Sequence, residues 1–294
     1  MKNTKYNLNN QNNVKYDLMI LINNKDMENR TDLAVELDIK TNNASANNIN
    51  VDTQYITPHY ARKYGFLSGD YTTITFDKIN DHLKQAIKRE LNKFLKDLDV
   101  TRILIVGLGN EKMVVDQIGP LTISKCEYKP NKELYFFNTG VLAQTGLESV
   151  STVKALAGAV KPSLVIVIDA IVASDSKRLL KTIQINNAGI KPGSGINNDR
   201  PIISKKNIGV PVIGIGVPTA IMTATITEEV LSFMKNNRSL KKFNLVNIDD
   251  DLINELNLEI TDILDNNLVV MTKDVQAFND RFSVMLANIL TTLV

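Results

Sequence analysis

Hydrophobic and polar positions along the chain change period several times, and each change predicts an element. Leu33, Val35, Leu37 and Ile39 alternate with Ala34, Glu36 and Asp38, the period-two pattern of a half-buried strand. Residues 40–50 are polar and rich in asparagine and read as a loop, whereas 52–74 mixes short β-branched runs with turn signals such as Ser68-Gly69-Asp70. From Asp77 the period becomes helical: Ile79, Leu83, Ala86, Ile87, Leu91, Phe94, Leu95 and Leu98 form one apolar stripe, with Lys and Glu opposite. Apolar runs then alternate with helical patterns. Strands are predicted over 102–106, 134–137, 164–168, 182–185 and 210–215, with a short run at 268–271. Helices are predicted near 115–125, 148–160, 219–234 and 274–290. Such alternation implies an α/β fold of three layers, α/β/α, around a mostly parallel central sheet.

Composition removes several chemistries. The 294 residues include one Cys, two His and no Trp, too few for a disulfide framework, a heme-attachment motif or a four-ligand zinc site. Formal charge is +2, from 34 basic and 32 acidic side chains, which offers no broad basic face for nucleic acid. A content of 44% hydrophobic and 22% charged residues suits a chain that buries a core. The longest apolar run, Leu164 to Ala173, is interrupted by Asp169 and is too short to span a bilayer, so no membrane segment is expected. The segment to about Asn29 is rich in Asn and Lys without periodicity and reads as a flexible extension. It has no apolar stretch of signal-peptide length, and the single thiol fits a reducing, cytoplasmic setting.

Candidate chemistry gathers in loops that follow buried strands, because ligands in open α/β sheets bind outside the carboxyl ends of the strands. In VGLGNEKMVVDQIGP, Gly107 and Gly109 allow close backbone approach and Asn110 tolerates left-handed geometry. A dinucleotide fingerprint would need glycine where Lys112 stands, so no nucleotide cofactor is expected. Asp116 opens the next helix and Asp169 ends VIVID. Either is ordinarily a capping carboxylate, but strand ends on one sheet edge can bring two such groups into one cleft. There they can share a proton, one activating water while the other polarises a carbonyl. Ser194 in KPGSG has no downstream His, which excludes a Ser-His-Asp triad and leaves a cleft-lining role. Cys126 has no His to activate it, and His59 and His82 read as packed or surface residues rather than ligands.

Five motifs occur together in order: RTDLAVE from Arg30, ILIVGLGN with Asp116 and Gly119-Pro120 after it, VIVIDA, TIQI followed by GIKPGSG, and IGVPVIGIGVPTA. Together they resemble the germination protease family of spore-forming bacteria. The resemblance implies an aspartic-type endopeptidase that degrades small acid-soluble spore proteins in the spore core, with catalytic aspartates that map onto Asp116 and Asp169. Gly107, Gly109, Asn110, Ser194 and Thr219 would line the cleft. It further implies a homotetrameric zymogen that cleaves itself, here between Asp32 and Leu33, leaving residues 1–32 as propeptide and 33–294 as a single peptidase domain. The family fold is similar to that of hydrogenase maturation peptidases, whose acidic positions bind a metal together with a histidine. No His follows His82, so a metal-independent reaction without cofactor is favoured. The alternatives are a metal-dependent maturation peptidase and a non-catalytic module that binds spore proteins.

Overall fold

The structure, a computed structural model, describes residues 42–46, 48–64, 67–192, 201–236, 250–263 and 268–293. The predicted strand over 33–39, the expected propeptide 1–32 with its expected cleavage between Asp32 and Leu33, and Ser194 lie outside them. Nine strands form one sheet in the order β1-β2-β3-β7-β8-β6-β4-β5, with β9 paired to β8. These are β1 Asn42–Ala46, β2 Ile49–Ile56, β3 Gly69–Phe76, β4 Ile103–Gly107, β5 Leu134–Asn138, β6 Leu164–Ala173, β7 Thr182–Asn186, β8 Val212–Met222 and β9 Val269–Val270. The sheet is mixed. It is parallel across β8-β6-β4-β5 and antiparallel across β1-β2-β3-β7-β8 and between β8 and β9.

Helices on both sides complete the α/β layering. The helices are α1 Pro58–Tyr64, α2 Asp81–Leu95, α3 Ile118–Lys125, α4 Leu142–Thr145, α5 Ser149–Val160, α6 Lys205–Ile208, α7 Thr223–Asn236, α8 Asp250–Ile263 and α9 Val275–Leu290. Beneath α2, α3 and α9 lies an isoleucine-rich core that includes Ile105, Ile166, Ile168, Ile183, Ile185, Ile213 and Ile215. Beneath α5 and α6 lies a second core of Leu104, Val106, Val165, Val167 and Val212. Alternation within each strand produces this split. The predicted amphipathic helix is α2, started by the Asn80 side chain, which accepts from the Leu83 amide at 3.0 Å. Its Glu90 is only 1% exposed and is paired with Arg89 at 2.9 Å and Lys93 at 2.7 Å. α9 is fastened by Phe278 and Phe282, stacked on each other and on Phe76 of β3 with centroids 5.1 to 6.4 Å apart.

Four sequence expectations change. Residues 40–50 contain β1 and the start of β2, because pairing with β2 supplies the order that the polar run NNASA lacks by itself. β6 continues past Ile168 to Ala173, since β8 pairs with it over that whole length. The helix expected from 219 begins at Thr223, because β8 extends through Met222. The helix expected from 115 is a 3₁₀ turn, Val114–Asp116, followed by α3.

Candidate active site

The parallel half of the sheet ends unevenly, and this builds the site. β4 stops at Gly107, opposite Ile168 of β6, so Asp169 is the first β6 residue beyond its β4 neighbour. The chain leaves β4 by a sharp path in which the Leu108 amide donates to the Ile168 carbonyl at 2.8 Å. Gly107 and Gly119 are needed for the close approach of α3. A Cβ at Gly107 would fall 2.6 Å from the Gly119 carbonyl carbon, and one at Gly119 would fall 2.3 Å from the Leu108 carbonyl oxygen. The residue with left-handed backbone is Gly109, with φ +112°. A Cβ there would meet the Asp116 carbonyl oxygen at 2.1 Å and its Oδ1 at 2.8 Å.

Asp116 is half-buried in the 3₁₀ turn, and its Oδ2 accepts from the Asn110 backbone amide at 2.8 Å. Asn110 anchors the loop through its own side chain, whose Oδ1 accepts from the Lys112 amide at 3.0 Å and from Gln144 Nε2 at 2.7 Å. The turn sits against β6, β8, α3 and α9. From β8, Thr219 Oγ1 donates to the Val115 carbonyl. From α9, Asn279 Nδ2 donates to the Val114 carbonyl at 2.7 Å, and Gln276 Oε1 accepts from Gln117 Nε2 at 3.0 Å. Thr219 is placed by a β-bulge: Pro218 pairs with Ile171 and Ala220 with Val172, which leaves Thr219 as the extra residue. Bulges re-aim side chains next to functional sites, and bulges are among the places in a sheet where proline is found. Asn279 is fully buried, and its Oδ1 has no hydrogen-bond partner among the described residues. Leaving such an acceptor unsatisfied costs about 1–3 kcal/mol.

Asp169 is 5% exposed and pairs across the ladder with Gly216 of β8. Gly216 pairs in turn with Gln184 of β7, Gln184 with Thr73 of β3, and Thr73 with Asp52 of β2. Cross-strand partners point to the same face, so a polar row crosses the sheet from Asp169 to Asp52. Gly216 has little free space in it: a Cβ there would fall 2.6 Å from Ile171 Cδ1 and 3.4 Å from Gln184 Oε1. At the far end Asp52 Oδ2 accepts from Gln54 Nε2 at 2.8 Å, while its Oδ1 is buried without a partner among the described residues. Burial pushes the Asp52 carboxyl above its ordinary value, against the Gln54 hydrogen bond and the nearby Arg178 charge.

Gly107, Gly109, Asn110, Asp116, Asp169 and Thr219 are thus brought to one end of β4, β6 and β8. His59 and His82 are exposed on α1 and α2. Cys126 follows α3, its thiol pushed up to about 12 by burial, and a thiol held in that state makes a poor nucleophile. Among the described residues, no group of three His, Cys, Asp or Glu side chains is placed to hold a metal ion, and no helix is long and apolar enough to cross a membrane. Sequence reasoning missed Gln184 and Asn279. The first has a signal, since TIQIN places a polar residue at every second position of a strand that is buried throughout. The second has none, because its partner, the Val114 carbonyl, lies 165 residues away along the chain.

Comparison with known proteins gives this end of the sheet a context. A family model described as germination protease matches residues 17–244. The germination protease of Clostridium tetani is 31% identical over 242 residues, covering 73% of this chain and 75% of that protein. The Bacillus subtilis germination protease is 30% identical over 304 aligned residues, covering 83% of each chain. That of a Geobacillus strain is 35% identical over 202 residues, covering 61% of this chain and 54% of its own. Among solved structures, a [NiFe] hydrogenase maturation protease from Thermococcus kodakarensis aligns with a TM-score of 0.37 and 18% identity over 68% of this chain and 99% of that one. The span of the family match, which includes every strand from β1 to β8, shows that the chain belongs to the germination protease family of peptidases.

Proposed function

We propose that this peptidase is an endopeptidase acting on small acid-soluble spore proteins in the spore core, with Asp116 and Asp169 as its catalytic pair. The observation that carries the reading is the packing of the Asp116 turn against β6 and β8, with Asp169 the first β6 residue past the end of β4. Asp116 acts as the base. Its carboxylate accepts an amide hydrogen bond, which favours the ionised form. Asp169 is assigned as the proton donor of the pair. Asp116 removes a proton from water as the water attacks the scissile carbonyl carbon, while Asp169 hydrogen-bonds the carbonyl oxygen and stabilises the charge that develops there. Collapse of the tetrahedral intermediate then passes the proton held by Asp116 to the leaving amine. The reading extends to a homotetrameric zymogen that cuts itself between Asp32 and Leu33 and uses no cofactor.

The test is incubation of full-length protein with a small acid-soluble spore protein, followed by mass spectrometry of both polypeptides. Asp116→Asn and Asp169→Asn should each lower cleavage by about 10²–10⁴-fold and block processing at Asp32-Leu33, with the fold kept by circular dichroism. Parental activity in either variant would remove that residue from the pair. Substrate retained without turnover would point to a binding module, and activity lost to a chelator and restored by one cation would point to a metal peptidase.

A further inference from the structure

We propose that Asn279 of α9 is a positioning residue for Asp116, fixing the 3₁₀ turn from which the carboxylate projects. The inference rests on the reading of Asp116 as a catalytic group. It adds that α9, which lies wholly beyond residue 244 where the family match ends, is part of the catalytic unit.

A three-residue turn has little capacity to hold itself. Within it and its approach, the Asp116 amide donates to the Met113 carbonyl at 2.8 Å and the Met113 amide to the Asn110 carbonyl at 3.0 Å. The carbonyls of the next two residues are each taken by a distant element. Val114 is held by Asn279, and Val115 by Thr219. One clamp comes from the sheet and the other from the helical layer, so together they fix both the position and the rotation of the turn. Gln276, one helical turn before Asn279 on the same face of α9, adds a third tie through Gln117.

The chemistry of Asn279 is that of a donor kept for its bond rather than for packing. The residue is 0% exposed, and its neighbours Phe282, Leu286 and Ile289 on α9 are core residues. A leucine of similar volume would avoid burying an unpaired amide oxygen but would leave the Val114 carbonyl without its donor, whereas the amide keeps that bond although its Oδ1 has no partner among the described residues. The bond gained in exchange goes to a backbone carbonyl two residues from the proposed base. A displacement of about 1 Å at a reacting group can lower a rate about 10²-fold, which makes such a tie consequential for the reaction.

Steady-state cleavage of a small acid-soluble spore protein by the processed enzyme tests this. Asn279→Leu should lower kcat by about 10²-fold with KM within about threefold of the parent, because substrate contacts are untouched. Asn279→Asp restores a donor to the Val114 carbonyl only when protonated, so its kcat relative to the parent should climb as pH falls, while the ratio for Asn279→Leu stays flat. A merely structural role would not produce that pH dependence in samples held well below their unfolding temperature. Should Asn279→Leu fail to fold, Asn279→Ser is judged by the same kcat criterion. A folded variant with kcat within about threefold of the parent, or an Asn279→Asp ratio that does not move with pH, overturns the proposal. Asp116→Asn is run alongside. If it is inactive while Asn279→Leu is active, the fault lies with Asn279; if it is active, the assignment of Asp116 has failed and the inference falls with it.

Discussion

The two aspartates at the end of the sheet are held in opposite ways. Asp169 lies inside a ten-residue strand, 5% exposed, with its backbone in the ladder to β8 and its preceding residue, Ile168, paired with the end of β4. Asp116 lies in a three-residue 3₁₀ turn, half-buried, and its place depends on side chains contributed by β8 and α9. A strand shares its order among many backbone bonds, so the loss of one neighbour is absorbed. A turn tied by single hydrogen bonds has no such reserve. Changes around Asp116 should therefore reach activity sooner than changes of similar size around Asp169.

The sharpest contrast is between two glycines. Gly109→Ala places a Cβ 2.1 Å from the Asp116 carbonyl oxygen at a backbone φ of +112°, so both the turn and the loop must move. We expect cleavage to fall by at least about 10²-fold and stability by about 1–3 kcal/mol. Gly216→Ala, beside Asp169, meets the end of the flexible Ile171 side chain at 2.6 Å and Gln184 Oε1 at 3.4 Å. Those atoms can yield, and most of the activity should remain. Paired measurements of kcat and urea midpoint decide the matter, and equal losses in the two variants would erase the difference between strand and turn.

A smaller effect should come from the β8 clamp. Thr219→Val replaces the hydroxyl by a methyl of similar size, leaving the Val115 carbonyl without its donor. The cost in stability should be about 0.5–1.5 kcal/mol, and kcat should fall about tenfold because α9 still holds the adjacent carbonyl. Thr219→Ser, which keeps the donor, should stay near the parent in both thermal melts and cleavage. If the valine variant also cleaves at the parental rate, the turn does not depend on β8.

The same contrast explains what could be read in the chain beforehand. Strands whose burial is set by local pattern were legible: VIVID and ILIVG are continuous apolar runs and became β6 and β4, and Asp169 stands out as the one charge in such a run. What was not legible depends on partners remote in sequence. β1 looks like a loop until β2 pairs with it. Thr219 looks like the start of a helix until β8 and β6 fall out of register by one residue and expose it as a bulge. The antiparallel half of the sheet arises because β3 returns to pair with β7, a contact about 110 residues apart that no local period announces. Asp116 was marked by its place after GLGN, but the residues that hold it were not, since Asn279 differs from its helical neighbours only in whom it meets.

The mildest prediction concerns the far end of the polar row that begins at Asp169. Burial raises the Asp52 carboxyl above the ordinary carboxylate value of 3.8, so the folded chain holds that proton more tightly than the unfolded chain does. Stability from this group is therefore full below the unfolded value and is lost as pH rises through the raised folded value, after which the penalty is constant. Asp52→Asn removes the penalty while keeping an acceptor for Gln54. Because the group is only about half-buried, solvent screening limits the gain to about 0.5 kcal/mol or less. Thermal melts of parent and variant should differ slightly at neutral pH, in favour of the variant, and converge in acid. Cleavage should not change, since Asp52 stands four strands from Asp169 across Thr73, Gln184 and Gly216. A changed cleavage rate would mean that the row transmits charge to Asp169, and the aspartate held by a strand would then depend on its neighbours as much as the one held by a turn.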